Sequence, residues 1–190
     1  MEQEAKEVPY GVANFATVME QNLYYVDKTM YLPMIERQPR NLFFIRPRRF
    51  GKSIFLSMLY SYYDCKQKAK FQSLFGSLWI GSHPTPLQGK YQVLYLDFSQ
   101  ITGKIDVLEE RFNAYLCIKI DSFIRYYSEY YTEEETANIL SKTEHADKIQ
   151  LLFDAVAAHG HSHHCARIGA EPRLLRLLSP ARPHPLCHQA

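Results

Sequence analysis

The densest chemistry in this sequence lies in one short run, Arg46-Pro47-Arg48-Arg49-Phe50-Gly51-Lys52-Ser53. Gly51, Lys52 and Ser53 match the second half of the phosphate-binding pattern of a glycine, four residues and then Gly-Lys-Ser or Gly-Lys-Thr. A glycine here lets the backbone approach a phosphate without a Cβ in the way. The amides that follow it, at the start of a helix, point at an anion. Lys52 is placed to put a point charge on the β- and γ-phosphates, and Ser53 to ligate Mg²⁺ through its hydroxyl. The first glycine of the pattern is absent, and Arg46 stands in its place. Pro47 fixes its own φ and favours an extended Arg46, so the chain must turn differently there. Arg48 and Arg49 add positive charge beside the phosphates.

Asp97 is the second candidate. It ends the apolar run Val93–Leu96, and there it is either a tentative Mg²⁺ ligand or a cap for the next turn. No residue is clearly placed to activate a water. His159, His161, His163, His164 and Cys165 are of metal-ligating type, but they crowd into one run without paired zinc-ligand spacings. The pairs Tyr62–Tyr63, Tyr126–Tyr127 and Tyr130–Tyr131 suit base stacking or, more simply, the inner faces of helices. Glu133–Glu135 reads as a solvated helix start.

The elements around the loop follow from periodicity. Asn41–Ile45 is a short continuous apolar run, as for a strand buried on both faces. Ser53–Cys65 is a helix with an apolar stripe at Ile54, Phe55, Met58, Leu59, Tyr62 and Tyr63. Upstream, Tyr10–Phe15 is a turn, and Thr17–Asn22 is short and weakly helical. Asp27 caps a helix from about Lys28 to Arg37, with Met30, Tyr31, Met34 and Ile35 on one face. Downstream, Phe71–Ile80 is short helix plus extended chain, and Tyr91–Phe98 is a second buried strand. Ile105–Tyr127 is a long amphipathic helix, Thr132 and Glu135 form a capping box, and a further helix spans Ala146–Ala158. Strand, loop, helix, strand, helix is the rhythm of α/β folds with a parallel sheet.

With 190 residues and a net charge of +2, the chain can bury a core and gives no global case for nucleic acid or an anionic membrane. No apolar run approaches the roughly 20 residues of a membrane span, and the first residues lack the blocks of a secretory signal. A cytoplasmic location is the default. Cys65, Cys117, Cys165 and Cys187 show no CxxC pairing and read as reduced thiols.

Composition changes near Ala158. Tyr and Phe stop at Phe153, whereas His159–Ala190 is rich in His, Pro, Arg, Leu and Ala. Three accounts stand: a flexible tail interrupted by Pro172, Pro180, Pro183 and Pro185; a continuation that is not native, as after a change of reading frame; or a metal site.

Four blocks in order resemble the bacterial and archaeal AAA-ATPase-like proteins, P-loop proteins that often carry a C-terminal nuclease-like domain. They are VPYGVANF (Val8–Phe15), YYVDKTMYLPMIE (Tyr24–Glu36), FFIRPRRFGKSIFLSMLYSYYD (Phe43–Asp64) and VLYLDFSQI (Val93–Ile101). The resemblance runs from Glu7 to about His161. In that family the arginine-rich loop without the first glycine is usual. The resemblance implies ATP and Mg²⁺ as ligands, with Lys52 and Ser53 in the phosphate and magnesium roles, and the Pro9–Gly11 turn near the base. It also implies an apolar strand ending in Asp-Glu after the last helix, and no such strand follows His159.

The expected fold is therefore an incomplete α/β, P-loop NTPase-like parallel sheet flanked by helices over residues 1–158, with an irregular or disordered tail over 159–190. The expected function is ATP binding with doubtful hydrolysis in a truncated chain. A non-catalytic interaction or scaffold fragment with a vestigial loop is the alternative. A protein partner, if there is one, is not readable.

Overall fold

The computed structural model describes residues 6–38, 41–42, 44–45, 47, 50–159, 164–170 and 175–176. In chain order the elements are α1 (Phe15–Glu20), α2 (Leu32–Glu36), β1 (Asn41–Leu42), α3 (Lys52–Tyr63), α4 (Phe71–Phe75), α5 (Trp79–Ser82), β2 (Tyr91–Asp97), α6 (Leu108–Tyr126), α7 (Glu133–Ser141), α8 (His145–Ala158), β3 (His164–Ala170) and β4 (Leu175–Arg176).

Helix α3 is the centre of the packing. Phe55, Leu56, Met58, Leu59, Ser61, Tyr62 and Tyr63 are all buried, more of its circumference than a single stripe would cover. Full burial of side chains such as Met58, Leu59 and Tyr62 contributes about 1.5–3 kcal/mol each. Around it sits an aromatic cluster. Phe15 packs on Phe75 (ring centroids 4.9 Å) and edge-on to Tyr25 (5.2 Å), and Tyr62 meets Phe75 edge-on (5.4 Å). Such pairs add roughly 0.5–1.5 kcal/mol beyond area burial. The Phe15 N–H donates to Ser57 Oγ (2.9 Å), which ties α1 to α3.

Strand β2 divides this cluster from a second one. Side chains alternate across a strand, and Val93 packs with α3 whereas Leu94 packs with Ile120, Phe123, Ile124, Tyr127, Ile139 and Leu152. Both faces are covered, which accounts for the unbroken apolar run.

The expected parallel sheet flanked by helices is not what the structure holds. The described residues are mostly helical, and strand pairing among them stops at pairs: β2 runs parallel to β3, and β1 antiparallel to β4. The expected strand Asn41–Ile45 pairs only at Asn41 and Leu42. Phe44 leaves the ladder to stack on Phe55 at 4.9 Å, and Ile45 is 88% exposed. Among the described residues no strand pairs with Phe44 or Ile45, and the Phe44 ring packs on helix α3 instead. Nor is the tail irregular throughout, since the backbone of His164–Ala170 lies along β2 over its whole length.

Two other details differ. The helix expected over Lys28–Arg37 is a 3₁₀ turn at Thr29–Tyr31 followed by α2. Its buried residue is Leu32, while Met30, Tyr31 and Met34 face outward. The extended part expected within Phe71–Ile80 ends in a short helix, Trp79–Ser82. The long helix, the capping box of Thr132 with Glu135, and the last helix form as expected, to within three residues at their ends.

Two buried polar groups set testable limits on stability. Lys148, 2% exposed, donates to Asp121 (2.6 Å) and to the carbonyls of Ile139 (3.1 Å) and Leu140 (3.3 Å), so a lysine of α8 closes the C-terminal turn of α7. Asp64 follows α3, is fully buried, and accepts the Lys66 N–H through Oδ1 (2.8 Å). Burial pushes its pKa up, and the Lys66 N–H with the Tyr60 and Tyr127 phenols only partly offsets that.

Lys148→Ala should cost roughly 2–4 kcal/mol in urea denaturation, because the two carbonyls and Asp121 lose their cation. Asp64→Asn should hold or raise the melting temperature at pH 7–8. A raised folded-state pKa means the native chain keeps the proton that the unfolded chain releases. Wild-type stability therefore falls as pH rises from the ordinary aspartate value through the raised one. Melting scans from pH 4 to 8 should show the wild type gaining on Asp64→Asn towards acid.

Candidate functional site

The described part of the run Arg46–Ser53 lies at the mouth of α3. Pro47, Phe50, Gly51, Lys52 and Ser53 are among the described residues; Arg46, Arg48 and Arg49 lie outside them. Gly51 is the N-cap, at φ 71° and ψ 27°. This is the left-handed region, which costs a residue with a Cβ about 1–2 kcal/mol. The glycine is thus required by the backbone itself, in addition to any close approach of a phosphate.

A helix leaves its first amides without intrahelical partners. The first i to i−4 bond here runs from Phe55 N to Gly51 O (3.0 Å). Gly51 has no side chain to cap the amides of Lys52, Ser53 and Ile54. Phe50 is 59% exposed and Ser53 is exposed, so this end of an otherwise buried helix opens outward. Lys52 Nζ donates to the Pro47 carbonyl (3.2 Å), which lays its side chain over the loop.

A second lysine reaches the same loop. Lys28 Nζ donates to the Phe50 carbonyl (3.3 Å), a link that helix periodicity did not reveal. The only signal was its place in the block YYVDKT. Its two neighbours form a clamp. Asp27 Oδ1 accepts from Thr29 N (2.8 Å) and Thr29 Oγ1 (2.7 Å), and Oδ2 accepts from Trp79 N (2.8 Å). Thr29 Oγ1 in turn accepts from Ile80 N (3.2 Å), at full burial of Thr29. Asp27 thus caps the turn that follows it, as expected, and also the start of α5.

Asp97 ends β2. Its Oδ1 accepts from Ser99 N (3.0 Å) and Ser99 Oγ (2.6 Å), and its own N–H donates to the Tyr115 hydroxyl (2.6 Å). Those carboxylate bonds are the turn-capping arrangement. Among the described residues, none of them leads to the loop at α3.

The remaining candidates fall into place as packing. Tyr62, Tyr63, Tyr127 and Tyr131 are buried. Tyr126 and Tyr127 do line an open cavity of about 570 Å³ between α3, β2 and α6, together with Tyr60, Tyr95 and Lys119. Glu135 completes the capping box and meets His159 Nε2 at 2.7 Å. The side chains of His161, His163, His164 and Cys165 lie outside the described ones, as do those of Cys187. Among the described residues no cluster of His, Cys, Asp and Glu could hold a metal ion, and Cys65 and Cys117 are free thiols.

Residues 9–162 match the family described as "Predicted AAA-ATPase". The chain belongs to this AAA-ATPase-like family. A 55-residue stretch is 46% identical to a protein of Azotobacter chroococcum mcd 1 described as "Uncharacterized protein in vnfD 5'region". That match covers 28% of this chain and 11% of the relative's length. No solved structure matches.

Gly51→Ala places a Cβ on a left-handed backbone. It should lower stability by about 1–2 kcal/mol in chemical denaturation, whereas Gly76→Ala would fail for a different reason, a clash of its new Cβ with the Gln72 carbonyl at 2.5 Å.

Proposed function

We propose that this member of the AAA-ATPase-like family binds ATP with Mg²⁺ at the loop of residues 46–53. The observation that carries the reading is the left-handed Gly51 opening α3, with first-turn amides that no side chain caps and Lys52 beside them. Lys52 would lie on the β- and γ-phosphates, and Arg46, Pro47, Arg48, Arg49 and Phe50 would complete the loop around them. Ser53, exposed in the first turn of the helix, would hold the Mg²⁺. Asp97 is a weaker second ligand, because Oδ1 already serves Ser99. The cation would supply charge neutralisation on the polyphosphate.

Hydrolysis is a separate matter. It needs a positioned water and stabilised charge in the transition state. Strand β3, parallel to β2, reads His-Cys-Ala-Arg-Ile-Gly-Ala and holds no carboxylate. The reading is therefore one of nucleotide binding with slow turnover or none. A cytoplasmic location, where ATP and reduced thiols coexist, accords with it. Among the described residues no helix is long and apolar enough to cross a membrane.

One observation favours a second reading, an interaction or scaffold fragment with a vestigial loop. Both lysines at the loop are bonded to its own carbonyls. The two readings separate in a melting scan. Mg-ATP at about 100 times its dissociation constant should add roughly 2.7 kcal/mol to a binding chain and nothing to a scaffold. Direct titration should show Lys52→Ala binding Mg-ATP at least tenfold more weakly than wild type, given the strength of charge-assisted phosphate bonds. Equal affinities would remove the ATP reading.

A further inference from the structure

Lys28 occupies an electrostatically awkward place. The clamp through Asp27 and Thr29 fixes its backbone against α5, and its side chain, half-buried, runs to the loop. Its ammonium sits on the residue that opens α3: a methyl group added to Gly51 would lie 3.4 Å from Lys28 Nζ. A helix N-terminus carries partial positive charge and disfavours a cation. Lys52 lies in the same first turn, and three arginines share the loop in sequence. The oxygens of the adjacent Asp27 carboxylate accept from Thr29 and Trp79. Among the described residues, no ion pair involves Lys28. Among the described residues its acceptor is one neutral carbonyl at 3.3 Å.

The same arrangement becomes favourable around a polyanion. An ammonium has three donors, and a phosphate oxygen is a stronger acceptor than a neutral carbonyl. We propose that Lys28 is a second phosphate-binding lysine of this loop, brought to the nucleotide from the segment before α2. This rests on the ATP reading above. Lys28 and Lys52 hold the Phe50 and Pro47 carbonyls. With nucleotide bound, both ammonium groups turn to phosphate oxygens. Asp27 and Thr29 are positioning residues, which act through Lys28.

The test uses the full chain and Mg-ATP. Lys28→Gln keeps a donor for the Phe50 carbonyl and removes the charge; Lys28→Arg keeps the charge. Lys28→Gln should weaken ATP binding about tenfold or more, as for loss of a charge-assisted bond, with an equal or higher melting temperature of the nucleotide-free chain. Lys28→Arg should recover most of the affinity. Wild-type affinity in Lys28→Gln overturns the proposal and leaves the ATP reading standing. So does a loss that Lys28→Arg fails to recover, or one that comes with a less stable nucleotide-free chain, since either marks a structural role. A wild-type chain that binds no Mg-ATP removes the ATP reading first, and the role of Lys28 with it.

Discussion

The structure depends on burying α3 along its length while leaving its first turn open. From Phe55 onward the helix is enclosed by α1, the Phe71–Phe75 helix and β2. Its first turn is closed over by no side-chain cap and begins at a glycine in a left-handed conformation. A helix enclosed in this way cannot tilt or slide without disturbing the aromatic cluster around it, because protein interiors leave few voids to move into. Its one open end is therefore a fixed point. Chemistry that relies on backbone amides needs that rigidity, because amides aimed at an anion are effective only if they need not be reordered when it arrives.

Strand β2 passes the same constraint to the second half of the molecule. Val93 meets α3, Leu94 meets α6 and its neighbours, and the Val93 N–H donates to the Tyr127 hydroxyl (2.9 Å). Asp64 marks the joint between the two clusters. It ends α3, bridges to Tyr91 and starts the next 3₁₀ turn. Its buried carboxylate is a local cost that the turn geometry requires at one oxygen and that the Tyr60 and Tyr127 phenols offset only in part.

Elements with a strong, self-contained signal were legible in the sequence. The capping box at Thr132 and Glu135, the amphipathic period of α6 and the apolar run of β2 each state their own outcome. The run at Asn41–Ile45 did not. A short apolar stretch carries no information about whether a neighbouring strand exists to pair with, and Phe44 found an aromatic ring on α3 instead. The same ambiguity made the parallel sheet an inference from rhythm rather than from pairing. At the site, the spacing of Gly51, Lys52 and Ser53 was readable because it is local. Lys28 was not readable, since its link to Phe50 spans 22 residues and depends on the Asp27–Thr29 clamp to α5. A helical wheel instead assigned that segment the wrong face, with Met30 and Met34 turned to the outside.

The two lysine–carbonyl bonds also bear on which anion the loop would accept. Lys28 holds the Phe50 carbonyl at 3.3 Å and Lys52 the Pro47 carbonyl at 3.2 Å, both at the exposed surface. On the proposed reading, these carbonyls compete with any anion for the two ammonium groups, and a polyphosphate has more oxygens to offer them, over a longer span, than a single phosphate. On the proposed reading, the self-bonded lysines that suggest a vestigial loop are the same feature that would make it selective.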